Sequence, residues 1–304
     1  MDVTAASAPV VAGVDYSQAS TAAVSYAAWE AVRRGVGLRL VHGYVPADPG
    51  EAPPVASFDD NDRIAAAEER LAGATAQVRR EHPQLPVSVK VVAGSGAMSL
   101  VNESVRASLV VVGALGGGGF DGLLLGSVAA QVSRHARCPV LVVRPGPAHS
   151  VGPGPGPGPV LVGIDGSPQS VDVLGFGFDE AAARAVRLVA VHVWSVPAVG
   201  PRTVGTVWSF RPTSARAQLD EAADQVLEEA LAGWQQKYPQ VEVERRTVHG
   251  ASPAHTLLEV ASDVAADLIV VGTRPRGGDG TVLGSVSQAL ATHAQACVAV
   301  IDPG

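Results

Sequence analysis

Short runs of β-branched residues alternate along this chain with longer stretches whose apolar positions recur at helical spacing. Over the first half the pattern predicts strands at about residues 9–14, 38–45, 87–92, 109–113 and 140–144. Helices are predicted between them, at about 17–34, 61–81, 98–106 and 127–136. Ser17 and Ser20 are both candidate N-caps for the first helix, and Pro83 stops the second. The second half follows the same plan, with strands at about 160–164, 187–194, 241–248, 268–272 and 298–301. A long amphipathic helix over 214–237 takes the place of the second helix there. Val, Ala and Leu make up most of the apolar positions, which suits strands buried on both faces beneath helices. Five strands alternating with four helices imply a parallel sheet with right-handed crossovers.

The two halves repeat each other in detail. Gly13 and Asp15 recur as Gly163 and Asp165, His42 as His192, Gly94 as Gly250, and Gly113 as Gly272. Gly126, Ser127 and Val128 recur as Gly284, Ser285 and Val286, and Cys138 as Cys297. The landmarks keep their order while the offset drifts only from 150 to 159. A tandem duplication of one domain accounts for this. The expected organisation is a first domain over 1–145, a Gly-Pro linker over 146–158 and a second domain over 159–304. Alternating Gly and Pro supports neither helix nor sheet ladder. The linker is read as extended, at ~3 Å per residue and so about 40 Å at full stretch.

Composition narrows the function. At 304 residues with 47% hydrophobic positions, each half can bury a core of its own. The formal net charge of −7 argues against a nucleic-acid surface. The charge is uneven: residues 1–150 hold 12 basic and 13 acidic side chains, and the remainder 10 and 16. There is no polybasic cluster for a membrane and no apolar run of the ~18 residues that a span needs. The N-terminus lacks a basic and then apolar leader. Two cysteines make no disulfide framework, so a cytoplasmic protein is expected.

The chemistry concentrates after the fourth strand. A β-branched run ends at Gly113 and gives way to Gly116, Gly117, Gly118, Gly119 and Gly122, then closes on Gly126 and Ser127 before a helix. Strand, glycine loop and helix start form an anion cradle, because free backbone N–H groups and the positive end of the helix dipole converge there. Glycine lets the backbone approach the anion. No Walker A loop is present, since the only lysines are Lys90 and Lys237, neither followed by Ser or Thr. Nor does a G-x-G-x-x-G fingerprint follow the first strand. In a doubly wound sheet, ligands bind outside the carboxyl ends of the strands at the switch point. That places the turn holding Asp15 opposite the 113–127 loop.

The spacing Gly113-x2-Gly116-x9-Gly126-Ser127 resembles the nucleotide-binding signature of the universal stress protein family, in its ATP-binding branch. The resemblance covers nearly the whole chain and is to the tandem form found in actinobacteria. It implies two doubly wound α/β domains, each with a five-stranded parallel sheet in the order 3-2-1-4-5. It implies ATP held between strands one and four, and a role in stress or dormancy signalling. Carried onto this sequence, Gly13 and Asp15 meet the adenosine, and Gly43 packs a small residue against adenine. Val112 and Gly113 line the nucleoside. Gly116 opens the phosphate loop with Gly117 and Gly118, and Gly126, Ser127 and Val128 cradle the phosphates. In the second copy the corresponding positions are Gly163, Asp165, Val193, Gly272, Gly277, Gly278, Gly284, Ser285 and Val286. Family dimers join strand-five edges, which implies an internal pseudo-dimer here, with a further homodimer and an unidentified protein partner left open.

Each position also has a plainer reading. Asp15 can accept from a sugar, hold Mg beside the phosphates, or serve only as an N-cap or dipole partner. His42 and His192 read as satisfied core histidines, and Cys138 and Cys297 as small buried residues. No general base is placed beyond Asp15, so an ATP-binding regulator leads over a slow ATPase or other nucleotide-using enzyme, and over a scaffold that binds nothing. The copies are expected to be unequal. The 113-to-126 interval of 13 becomes 12 between Gly272 and Gly284, and Pro275 stands in place of Gly116. Proline offers no N–H to an anion, although Arg274 or Arg276 could supply charge.

Overall fold

A computed structural model describes residues 8–44, 60–116, 125–144, 158–195, 213–276, 280–282 and 284–302. The chain divides into two compact units, the first made of Met1–Pro157 with Thr273–Gly304 and the second of Gly158–Gly272.

In the first unit the order is β1 (Val10–Gly13), α1 (Gln18–Arg34), β2 (Leu38–Tyr44), α2 (Asp60–Glu81), β3 (Val87–Ala93), α3 (Gly96–Ser104), β4 (Leu109–Gly113), α4 (Ser127–His135) and β5 (Val140–Val143). These strands are parallel and lie in the order β3-β2-β1-β4-β5, with Val10 opposite both Leu38 and Leu109. The order reverses at β1, so the chain ends of β1 and β4 diverge to opposite faces and leave a crevice above the sheet. Val10, Val11, Ala12 and Leu109–Val111 are wholly buried, because helices cover both faces. One face packs Val11, Val41, Val110 and Val112 under Leu100 of α3 and Val132 of α4.

The second unit repeats the plan with β6 (Val160–Ile164), α5 (Ser170–Arg184), β7 (Leu188–Trp194), α6 (Thr213–Leu231), α7 (Trp234–Lys237), β8 (Val243–His249), α8 (Pro253–Asp263) and β9 (Leu268–Gly272). Its strands are parallel in the order β8-β7-β6-β9. The single helix expected over 214–237 is broken. Gly233 takes a left-handed φ of 83° and ends α6, and α7 follows as one further turn. That turn stacks Trp234 on the buried Phe178, with centroids 5.5 Å apart and planes 9° off parallel.

The rest of the chain belongs to the first unit: β10 (Arg274–Arg276), β11 (Gly280–Val282), α9 (Ser285–His293) and β12 (Cys297–Ile301). β12 pairs antiparallel with β5, setting Ala299 opposite Leu141. Between Gly272 and Gly284, where the loop is expected to depart from that of the first repeat, the chain forms an antiparallel pair, β10 with β11, in which Pro275 lies opposite Thr281. A Pro is tolerated at such an edge position. Among the described residues no helix is long and apolar enough to cross a membrane.

Candidate nucleotide crevice

The turn after β1 is built from short polar side chains. Ser17 is the N-cap of α1, and its Oγ accepts from the Ser20 N–H at 3.0 Å. The same hydroxyl lies 2.7 Å from Asp15 Oδ1 and 3.3 Å from the Leu115 carbonyl. Asp15 Oδ1 also accepts from the Ser17 N–H at 3.1 Å. Ser20 Oγ accepts from the Asp15 N–H and donates to the Gly13 carbonyl. Asp15 therefore does more than cap a helix: its carboxylate is held at the mouth of the β1 turn and linked through Ser17 to the segment after β4.

The segment after β4 needs glycine for two different reasons. A Cβ on Gly113 would come 2.7 Å from the Ala19 carbonyl carbon, so this glycine seats α1 against β4. A Cβ on Gly116 would come 2.6 Å from Asp15 Oδ2, so this glycine lets the loop pass close to the carboxylate. Further on, the Gly126 N–H donates to the Ala114 carbonyl at 2.7 Å, which draws the end of the loop back to its start. Gly126 is the N-cap of α4, in extended backbone and without a side chain to cap it. The first intrahelical bond runs from Ala130 N–H to Gly126, so the N–H groups of Ser127, Val128 and Ala129 have no acceptor within the helix.

These elements enclose a cavity of about 420 Å³, within the range of ligand pockets. Gly13, Asp15, Gly43, Val112 and Gly113 line it from the strand ends. Gly116, Gly126, Ser127 and Val128 line it from the loop and α4. Gly117 and Gly118 lie outside the described residues. The cavity also holds residues that the sequence did not place in the site: Ser20, Gly96, Leu100 and Leu115. Ser20 had a readable signal as an N-cap candidate, but its two hydrogen bonds, accepted from Asp15 N–H and donated to the Gly13 carbonyl, depend on the turn geometry. His42, read from sequence as a core histidine, both satisfies Nδ1 against the Val14 carbonyl and lines the cavity.

In the second unit the β6 turn has the same form. Asp165 Oδ1 accepts from the Ser167 N–H at 3.0 Å and from Ser170 Oγ at 3.2 Å. Gly166, at φ 77°, takes the left-handed place that Tyr16 fills at φ 66° in the first. Gly163 and Gly272 are in β6 and β9, and Val193 is in β7. Gly284, Ser285 and Val286 begin α9, which the compact division assigns to the first unit. Gly277 and Gly278 lie outside the described residues. Burial pushes the Cys138 thiol up to about 12, which leaves it unreactive at neutral pH. Among the described residues no three His, Cys, Asp or Glu side chains cluster as a metal site.

The family model described as "Universal stress protein family" matches residues 8–144 and again 158–302. A universal stress protein of Mycolicibacterium smegmatis is 37% identical over 305 residues, spanning 97% of each chain. One from Mycobacterium tuberculosis is 37% identical over 301 residues, spanning 96% of this chain and 95% of its own. The crystal structure of a universal stress protein from Archaeoglobus fulgidus superposes with a TM-score of 0.67 at 20% identity, covering 98% of this chain and 99% of that one. That last likeness is one of fold.

Proposed function

The chain belongs to the universal stress protein family, and on that footing we propose that its first repeat binds ATP in the β1–β4 crevice and acts as a nucleotide-dependent regulator. The observation that carries this reading is the single cavity that gathers Asp15, Gly116 and the uncapped start of α4. Free N–H groups at Ser127 and Val128, with the helix dipole behind them, suit phosphate oxygens. A Cβ at Gly116 would meet Asp15 Oδ2 at 2.6 Å, so only glycine lets the loop pass this close to the carboxylate. The apolar side of the cavity, with Val41, Leu100 and Val112, suits a nucleobase and ribose. Asp15 stands where a carboxylate could share Mg²⁺ with the phosphates. Its Oδ1 is already engaged by Ser17, which fits a binding role better than that of a general base.

In this reading, nucleotide occupancy sets the conformation or partner choice of a cytoplasmic protein of the stress or dormancy response. Mass spectrometry of small molecules released on denaturing the purified protein should find ATP. Calorimetric titration of the stripped protein should then recover its binding. Neither release nor binding of an adenine nucleotide would overturn the proposal.

A further inference from the structure

At the turn after β1 one hydroxyl proton faces two acceptors. Ser17 Oγ lies 2.7 Å from Asp15 Oδ1 and 3.3 Å from the Leu115 carbonyl oxygen. A carboxylate and a carbonyl can only accept, and a serine hydroxyl carries one hydrogen, so Ser17 serves one of them at a time. The Ser20 N–H donates to the same Oγ at 3.0 Å and caps α1. That bond uses a lone pair of the oxygen, so the cap persists whichever way the hydrogen points. Turning the hydrogen needs rotation about Cβ–Oγ alone.

The two acceptors belong to opposite walls of the crevice. Asp15 follows β1 and Leu115 follows β4, and both line the cavity, whereas Ser17 is not part of its lining. Ser17 therefore acts on a ligand through these two neighbours. The shorter of its contacts is to the carboxylate, and a hydrogen bond to a charged acceptor is the stronger one. A cation or a ligand hydroxyl that binds the carboxylate draws off that charge, and the Leu115 carbonyl then becomes the better acceptor. Leu115 immediately precedes Gly116, so a bond made there ties the loop to the start of α1. The second unit is wired otherwise. Ser170, in the place of Ser20, donates to Asp165 Oδ1 at 3.2 Å, whereas Ser20 donates to the Gly13 carbonyl.

We propose that Ser17 is a positioning residue that couples the two walls of the crevice. When a ligand engages the Asp15 carboxylate, Ser17 redirects its hydrogen bond to the Leu115 carbonyl and holds the loop after β4 against the ligand. This assignment rests on the reading of the crevice as a nucleotide site.

The test is a double-mutant cycle on the full chain, stripped of nucleotide and titrated calorimetrically with ATP and Mg²⁺. Ser17→Gly removes the hydroxyl, and glycine is a tolerated N-cap. It should weaken ATP binding about tenfold in the otherwise wild-type chain. In the Asp15→Ala background the same change should matter by no more than about threefold, because the charge that sets the switch is gone. Ser17→Thr keeps both the hydroxyl and the cap, and should restore the affinity to within about threefold of wild type. Full affinity in Ser17→Gly, or an equal loss with and without Asp15, would reduce Ser17 to a helix cap and overturn the assignment while leaving the nucleotide site standing. Failure of the wild-type chain to bind ATP would remove the site and the assignment together. Should the Gly variant not fold, hydrogen exchange of Asp15→Asn decides. That change removes the charge that holds the hydroxyl, so the amides of residues 114–116 should exchange more slowly than in wild type with no nucleotide added. Unchanged or faster exchange there overturns the proposal.

Discussion

Two glycines three positions apart illustrate how one residue type serves unlike purposes. Gly113 faces the backbone of Ala19, which cannot yield without moving α1. Gly113→Ala should therefore cost about 1–3 kcal/mol of stability, read as a lower midpoint in urea. Gly116 faces only the carboxylate of Asp15, an exposed side chain whose displacement would break its bonds to Ser17 without moving a helix or strand. Gly116→Ala should leave that midpoint nearly unchanged and weaken ATP binding at least tenfold, about 1.4 kcal/mol. A Gly116→Ala protein with full affinity would remove the loop from the site. A third residue-scale expectation concerns Glu30, whose side chain is 1% exposed and bonded to Arg33 and Arg34 at 2.6 and 2.8 Å. Burial pulls its carboxyl up, but the two guanidinium groups outweigh that and hold it below the ordinary value of 4.5. A carboxyl with a depressed folded value stabilises above its unfolded value, and the contribution is lost as pH falls through the folded one. Glu30→Gln should thus cost about 3 kcal/mol at pH 7. The gap from wild type should begin to narrow only as pH falls below the ordinary value of 4.5 and close as the wild-type carboxyl protonates at its lowered folded value. A gap that is independent of pH would mean that shape, not charge, holds Glu30 in place.

Helix ends and strand ends carry the next level of organisation. The last turn of α9 is capped from a distance: Arg144, just past β5, places Nη2 2.7 and 2.6 Å from the Ala291 and Thr292 carbonyls. Burial lowers the basicity of this guanidinium, yet a cation at a helix C-terminus meets the negative end of the dipole. Arg144→Met should cost about 2–3 kcal/mol in chemical unfolding, more than a surface arginine would. Most elements are legible in the sequence, because strand and helix periods are local properties of it. The cap Ser17, the stop before β3 and the start of α4 at Ser127 all followed from residue type. Two features were not legible. The break at Gly233 depends on Trp234 finding Phe178, a contact made through the folded unit. The pairing of β10 with β11 runs through a Pro and a glycine-rich stretch that composition alone assigns to a loop. That pairing bears on the inequality of the repeats. A strand containing Pro275 offers fewer N–H groups than the loop around Gly116, so one tight equivalent of ATP per chain is expected. Titration that finds two equal equivalents, or loss of the tight one on mutating Gly284 instead of Gly126, would reverse the ranking of the repeats.

At the scale of the whole chain the repeat and the compact units do not divide the sequence in the same place. The family match begins anew at residue 158 and runs to 302, whereas the first unit takes in residues 273–304. The reason lies in β5. Its four residues, Val140–Val143, are all buried, and on the side away from β4 their partner is β12. That β5 needs covering is legible from its uninterrupted apolar run; that β12 supplies the cover is a fact of tertiary structure. A fragment ending at residue 157 keeps all five parallel strands of the first unit and both sides of the β1–β4 crevice, but loses the strand paired to β5. It would present an apolar edge with unpaired N–H and C=O groups, a template for association with another copy. Sedimentation should therefore find the fragment as a dimer or larger species at concentrations where the full chain does not associate. A fragment that is monomeric at those concentrations, and as stable as the full chain, would show that β5 does not depend on β12. The ATP affinity of the associated fragment should match that of the full chain, because among the described residues none that lines the crevice comes from beyond residue 157.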